Sequence, residues 1–153
     1  MVVKVIVQLI RSLMEGIADL DEKIAEAAAA HPDFFIFEWL PGAGAVMAPR
    51  LLAAFGSQRE RYANAAEVQS YSGIAPVTEK SGKKKWVHFR WACPKFLRQS
   101  FHEWASHSMT YSVWARSYYQ QQRSKKAECS HGLAMGLVMR LYSGYENGDL
   151  HSQ

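Results

Sequence analysis

The sequence predicts a mainly α-helical protein: an N-terminal coiled-coil helix followed by a helical domain that contains a helix-hairpin-helix. Three observations carry this reading. Apolar residues recur at alternating three- and four-residue spacing from Val3 to Ala27, a Leu40-Pro41-Gly42-Ala43-Gly44 turn separates two apolar segments, and Pro94 opens a stretch with Leu97, Phe101, Trp104, Ala105 and Ser108 along one face. The expected boundaries are 1–30 for the coiled-coil helix, 31–143 for the helical domain, with the helix-hairpin-helix near 34–56, and 144–153 for a flexible Gly-, Asn- and Asp-rich tail.

The first element has Val3, Ile6, Ile10, Leu13, Ile17, Leu20, Ile24 and Ala27 as its seam. β-Branched residues at the first core position of each heptad and Leu at most of the second lean toward a parallel two-stranded coil, which Gly16 weakens. A single amphipathic helix packed on its own domain is the alternative. Asp19, Asp21, Glu22 and Glu26 fall off the seam and read as a solvated face rather than a carboxylate cluster for a metal.

His31, Pro32 and Asp33 interrupt this helix. Phe34 to Trp39 is a short apolar segment, and Ala45 to Phe55 has the composition of a helix ended by Gly56, with Pro49 tolerated within its first turn or so. The turn between them resembles the helix-hairpin-helix of DNA-binding and repair proteins. Without side chains at Gly42 and Gly44, the amides opening the second helix can approach a phosphate, which the helix dipole favours; a plain turn between packed helices is the competing reading. Asn64 and Glu67 form a capping box for a short helix through Val68 and Tyr71 that stops near Gly73. Ile74 to Thr78 is extended and leads into Glu79 to Lys85, a polar and flexible loop. Trp86, Phe89 and Trp91 read as core aromatics beside a helix start, with base stacking as the alternative. Helices follow Pro94, from about Ser112 to Lys126, and from Glu128 to Tyr142.

The 153 residues are 48% hydrophobic, enough for a packed core. The run from Val5 to Ile10 is too short and too polar for a membrane span or a signal peptide, so a cytoplasmic protein is expected. Cys93 and Cys129 lack the spacing of a disulfide framework or zinc site, and the six histidines lack metal-like spacing. The net charge of +4 conceals an asymmetry: residues 80–126 hold eleven Lys or Arg against one acid, Glu103, a balance of +10. Such a field favours a polyanion over an acidic small molecule.

The blocks L-P-G-A-G-A-V-M-A-P-R-L-L-A-A-F-G, Y-S-G-I-A-P-V, S-G-K and K-F-L-R-Q-S-F, in this order over residues 40–126, resemble the C-terminal half of the insertion sequence 110/116/902 transposase family. The resemblance implies a DNA transposase in which a RuvC-like domain binds divalent metal (Mg) through four acids, a coiled coil follows, and a helical transposase domain supplies a serine that becomes covalently linked to DNA. It also implies a structured guide RNA as a partner. This sequence begins at the coiled coil and has no acidic RuvC-like domain, so a fragment, a partial gene product or a decayed copy is expected, with no cofactor of its own.

Ser81 aligns with the serine of the family's S-G block and is the expected nucleophile. Attack on phosphorus builds negative charge on the non-bridging oxygens, which Lys80, Lys83, Lys84 and Lys85 can neutralise while Gly82 lets the backbone approach. Arg90, Lys95 and Arg98 join these lysines, Gly42 and Gly44 as expected DNA- or RNA-binding residues. Ser72 also precedes a glycine but ends an apolar helix and reads as structural. The alternatives are a non-catalytic DNA- or RNA-binding module and a dimerisation fragment that assembles through residues 3–27.

Overall fold

A computed structural model of the chain describes residues 2–88, 90–124 and 136. Phe89, the expected helix from Glu128 to Tyr142 and the expected tail from Gly144 lie outside the described residues, apart from residue 136.

Helix α1 (Val2–Ala29) is continuous and, at about 1.5 Å per residue, about 42 Å long. Among its residues only Ala28 is buried, so α1 meets the core through its last turn, against α2 (Phe34–Glu38) and α3 (Gly44–Phe55). Its apolar seam is left bare: Ile10 is 50% exposed, Ile17 57% and Leu20 59%. Among the described residues, nothing of the domain that follows covers this seam beyond the last turn of α1.

The break after α1 is where the sequence places it, with the Asp33 amide donating to His31 Nδ1 at 3.1 Å and the Phe34 amide to the His31 carbonyl at 3.0 Å. Short α2 buries Ile36 and Phe37, and α3 buries Leu51, Leu52 and Phe55 against them. The Phe37 and Phe55 rings meet at 6.0 Å, and Phe55 meets Tyr62 at 5.4 Å, in tilted arrangements favourable to aromatic quadrupoles. Pro49 lies deeper than the sequence suggests: it is the sixth residue of α3, past the first turn, and buried, so the helix gives up one internal amide there while the ring packs in the core.

After a single 3-10 turn (Arg59–Arg61) comes α4 (Ala65–Tyr71). Asn64 caps it as expected, its side chain accepting from the Glu67 amide at 3.0 Å, while the Glu67 carboxylate reaches back to the Ala63 amide at 2.9 Å, one residue before the usual box partner. Strands β1 (Val77–Ser81) and β2 (Lys84–His88) follow, then α5 (Lys95–Tyr111) and α6 (Val113–Ser124).

Helix α5 is the spine of the domain. Leu97, Phe101, Trp104, Ala105 and Ser108 are all buried, as their spacing predicts, and they pack α5 between α3 and α6. Arg50 on α3 clasps α5, donating to Ser100 Oγ at 3.2 Å and pairing with Glu103, while its guanidinium lies over the Phe96 ring. Glu103, the one acid of the basic stretch, is thereby engaged within the fold. Among the described residues no helix is long and apolar enough to cross a membrane.

Candidate nucleic-acid interface

The segment expected to be a flexible loop is a β-hairpin, and this changes the surroundings of Ser81. Strands β1 and β2 pair antiparallel with Ser81 opposite Lys84, leaving Gly82 and Lys83 as a two-residue turn in which Gly82 takes φ 57°. Only glycine adopts such a value cheaply, so the S-G-K block is built into a tight reversal. Because strand side chains alternate between faces, the register sorts the lysines. Lys80 lies opposite Lys85 on one face; Ser81 lies opposite Lys84 on the other, together with Glu79, Trp86, Val77 and His88.

Only Lys84 among the strand lysines therefore shares a face with Ser81, and Lys83 sits at the tip. Ser81 is exposed at the end of β1, its main chain paired with Lys84. Two residues back, Glu79 pairs with His88 Nε2 at 3.5 Å, a carboxylate–imidazole pair on the serine's own face that the loop reading missed.

Lys80 beside Lys85 is an unfavourable cross-strand pair for an isolated hairpin, since like charges directly opposite repel. Nearly every strand residue is exposed, and among the described elements β1 and β2 pack only on each other. A lone two-stranded hairpin is marginal in water. An anion lying along these lysines removes the repulsion and rewards the arrangement.

The hairpin is tied down at its base. Gly73 and Ile74 precede β1 and are buried, and Cys93 follows β2 and packs on Gly73. The carbonyl of Arg90 accepts from Arg98 Nη1 at 3.3 Å and from the Cys93 thiol at 3.6 Å. Arg98, half-buried, thus positions the strand exit, while Arg90 and Lys95 are exposed beside it. Trp86 is 45% exposed and Trp91 84%, which corrects their assignment to the core: both rings stand at the surface near the basic residues.

The glycine turn between α2 and α3 gives its two glycines different reasons. Gly42 has φ 75°, and a Cβ there would lie 2.8 Å from the backbone of His107 and Ser108, so the close approach of α5 demands glycine. Trp104 Nε1 donates to the Pro41 carbonyl at 3.0 Å and fastens the same turn to α5. Gly44 has φ 58° with no atom within 4 Å of its missing Cβ; it opens α3 and borders a cleft of about 470 Å³ lined also by Val46, His107 and Tyr111. Among the described elements, α3, which this turn opens, makes no contact with either hairpin strand. Ser72, by contrast with Ser81, is fully buried, and its hydroxyl donates to the Gln69 carbonyl at 3.2 Å.

Residues 36–120 match the transposase IS116/IS110/IS902 family, a span that includes part of α2, the whole of α3 to α5 with the hairpin, and part of α6. A Streptomyces coelicolor (strain ATCC BAA-471 / A3(2) / M145) protein that bears the name of a mini-circle transposase for IS117 is 32% identical to this chain over 105 residues. That alignment takes in 69% of this chain and 25% of the relative, so the chain spans about a quarter of the length of the curated relative it matches.

Proposed function

The chain belongs to the transposase IS116/IS110/IS902 family, and on that premise we propose that it is the part of a transposase that grips nucleic acid with its lysine hairpin and offers Ser81 as the nucleophile for DNA strand transfer. The carrying observation is the hairpin itself: Lys80 opposite Lys85, Lys84 beside Ser81 and Lys83 at the tip, on an arm whose strands pack on no other described helix or strand. Phosphate is the ligand that turns this repulsion into attraction.

In the proposed step Ser81 Oγ forms a bond to phosphorus as the bond from phosphorus to the departing strand oxygen breaks. The hydroxyl proton leaves to a base, and the departing oxygen takes up a proton. Charge growing on the non-bridging oxygens falls beside Lys84, on the serine's face, and within reach of Lys83 at the turn. The acids of the hairpin and of the basic stretch do not fit a metal site: Glu79 is paired with His88 and Glu103 with Arg50, and among the described residues no three His, Cys, Asp or Glu side chains are grouped to hold an ion. We therefore assign the divalent metal that the family resemblance implies to an acidic RuvC-like domain outside these residues, where it would polarise the scissile phosphate.

Arg90, Lys95 and Arg98 extend the basic surface from the hairpin base onto α5, and the open side of Gly44 offers α3's first amides as a further backbone contact. Structured guide RNA suits the same surface. The bare seam of α1 supports a second copy of the chain as a partner through residues 3–27. Direct titration of duplex DNA with the chain tests the binding reading. Submicromolar binding that collapses when Lys83, Lys84 and Lys85 are replaced by Ala supports it, and equal binding by both proteins overturns it.

A further inference from the structure

A second cleft, of about 470 Å³, opens where the 3-10 turn and α4 face the segment that follows the hairpin. Its lining includes cationic and hydroxylic groups, Arg61, Arg90 and Ser70, together with a ring and two small apolar groups, Tyr71, Ala92 and Pro94.

The Arg61 guanidinium lies over the Tyr71 ring, 4.7 Å from its centre, and donates to the Tyr71 hydroxyl. It is also 5.5 Å from the Tyr62 ring, which meets Tyr71 at 5.8 Å. Such stacking fixes the plane of a guanidinium and leaves its outer edge to donate. Burial raises the Tyr62 phenol above its ordinary pKa, with Arg61 opposing the shift, so the ring beneath the cluster stays neutral at pH 7. Arg90 projects from a main chain whose carbonyl is held by Arg98 and Cys93. The lining carboxylate, Glu67, is engaged with the Ala63 amide at the start of α4. The cleft is therefore a recess with two arginines, a hydroxyl and a half-exposed aromatic ring, placed at the foot of the lysine hairpin.

We propose that this cleft holds one unpaired nucleotide of the bound strand, with its phosphate between Arg61 and Arg90 and its base against Tyr71. The inference rests on the nucleic-acid reading above and adds to it a preference for strand that has left the duplex. A duplex phosphate needs only a cation on an open surface, whereas an aromatic wall inside a recess rewards a base released from its stack.

The test uses the full chain and fluorescence anisotropy with a short single-stranded oligothymidylate and a duplex of the same length. Tyr71→Leu is expected to weaken single-strand binding about fivefold or more with its salt dependence unchanged, as loss of one stacked base requires. Arg90→Gln is expected to weaken it and to flatten the log–log salt slope by about one unit, the mark of one lost phosphate contact. Duplex binding should change less than single-strand binding in both variants, and circular dichroism melting should show each still folded; if Tyr71→Leu fails to fold, Arg90→Gln alone decides. Equal losses on duplex and single strand, or no loss on either, would overturn the inference. The hairpin lysine triple variant separates the two readings: if it loses both ligands while the cleft variants lose neither, the cleft fails and the nucleic-acid reading stands. If it also binds unchanged, both fail.

Discussion

Gly73 and Cys93 are packed so closely that a Cβ added to Gly73 would lie 2.6 Å from the Cys93 sulfur. Gly73 lies on the segment leading from α4 into the hairpin and Cys93 on the one leading out to α5, so this contact closes the base of the arm that carries Ser81 and the lysines. Its chemistry is steric: Gly73 has φ 73°, which a side chain resists, and the sulfur fills the space a methyl group would need.

Gly73→Ala is accordingly expected to destabilise the fold by about 1–3 kcal/mol or more, combining left-handed backbone strain with the clash. Cys93→Ala removes the clashing sulfur and should restore part of that loss when combined with Gly73→Ala. Urea denaturation of the two single variants and the double variant measures the coupling. Strictly additive effects would show that the contact does not hold the hairpin base.

The lysine hairpin makes a prediction about salt. Replacing Lys83, Lys84 and Lys85 with Ala should remove up to about three phosphate contacts and flatten the log–log dependence of DNA affinity on salt by roughly 2 to 3 units. Lys80 remains in this variant without its cross-strand neighbour Lys85, so the free protein should be no less stable, and removal of the like-charge pair should favour the hairpin slightly. An unchanged slope would mean that the lysines merely solvate the arm.

Assembly is tested on α1. Ile17 is 57% exposed on a seam of Ile and Leu that nothing described covers along most of its length, and apolar stripes of this regularity associate. Ile17→Asp would place a charge in the seam of any coiled coil and should lower the oligomeric state measured by analytical ultracentrifugation. A chain that is monomeric before and after the change would remove the coiled coil from the proposal.

What was legible in the sequence was local and apolar. Helix α5 could be read from Pro94 and the spacing of Leu97, Phe101, Trp104 and Ala105 because one face is buried along its length, and the Asn64 cap because its partner is three residues away. The hairpin leaves no such trace because its strands are exposed on both faces, so no apolar–polar alternation marks them, and Gly82 reads equally well as a loop residue. Trp86 and Trp91 mislead for the opposite reason: composition sends tryptophan to the core, whereas here both rings stand out by the basic face. The need for glycine at position 42 depends on His107 and Ser108, and the Arg61–Tyr71 stack joins a 3-10 turn to α4. Neither contact leaves a periodic trace in the sequence. In the sequence the family's S-G block distinguishes Ser81 from Ser72; in the fold, Ser72 is sealed in the core while Ser81 is open to solvent.

That contrast sets up the decisive experiment on chemistry. In a polypeptide that joins this chain to the acidic RuvC-like domain the resemblance implies, Ser81→Ala is expected to abolish the covalent protein–DNA adduct while leaving equilibrium DNA binding nearly intact, since one exposed hydroxyl contributes little to affinity. Ser72→Ala removes a buried hydroxyl that bonds to the Gln69 carbonyl, so it should lower stability modestly and leave the adduct in place. The 153-residue chain alone is expected to give no adduct even with Ser81 present, because Glu79 and Glu103 are already paired and supply no carboxylate cluster for a metal beside the scissile phosphate. Denaturing gel electrophoresis of the reaction with labelled DNA reads all three. An adduct that survives Ser81→Ala and vanishes with Ser72→Ala would move the chemistry to a buried residue and require the core to open; one that survives both would end the serine mechanism for this protein.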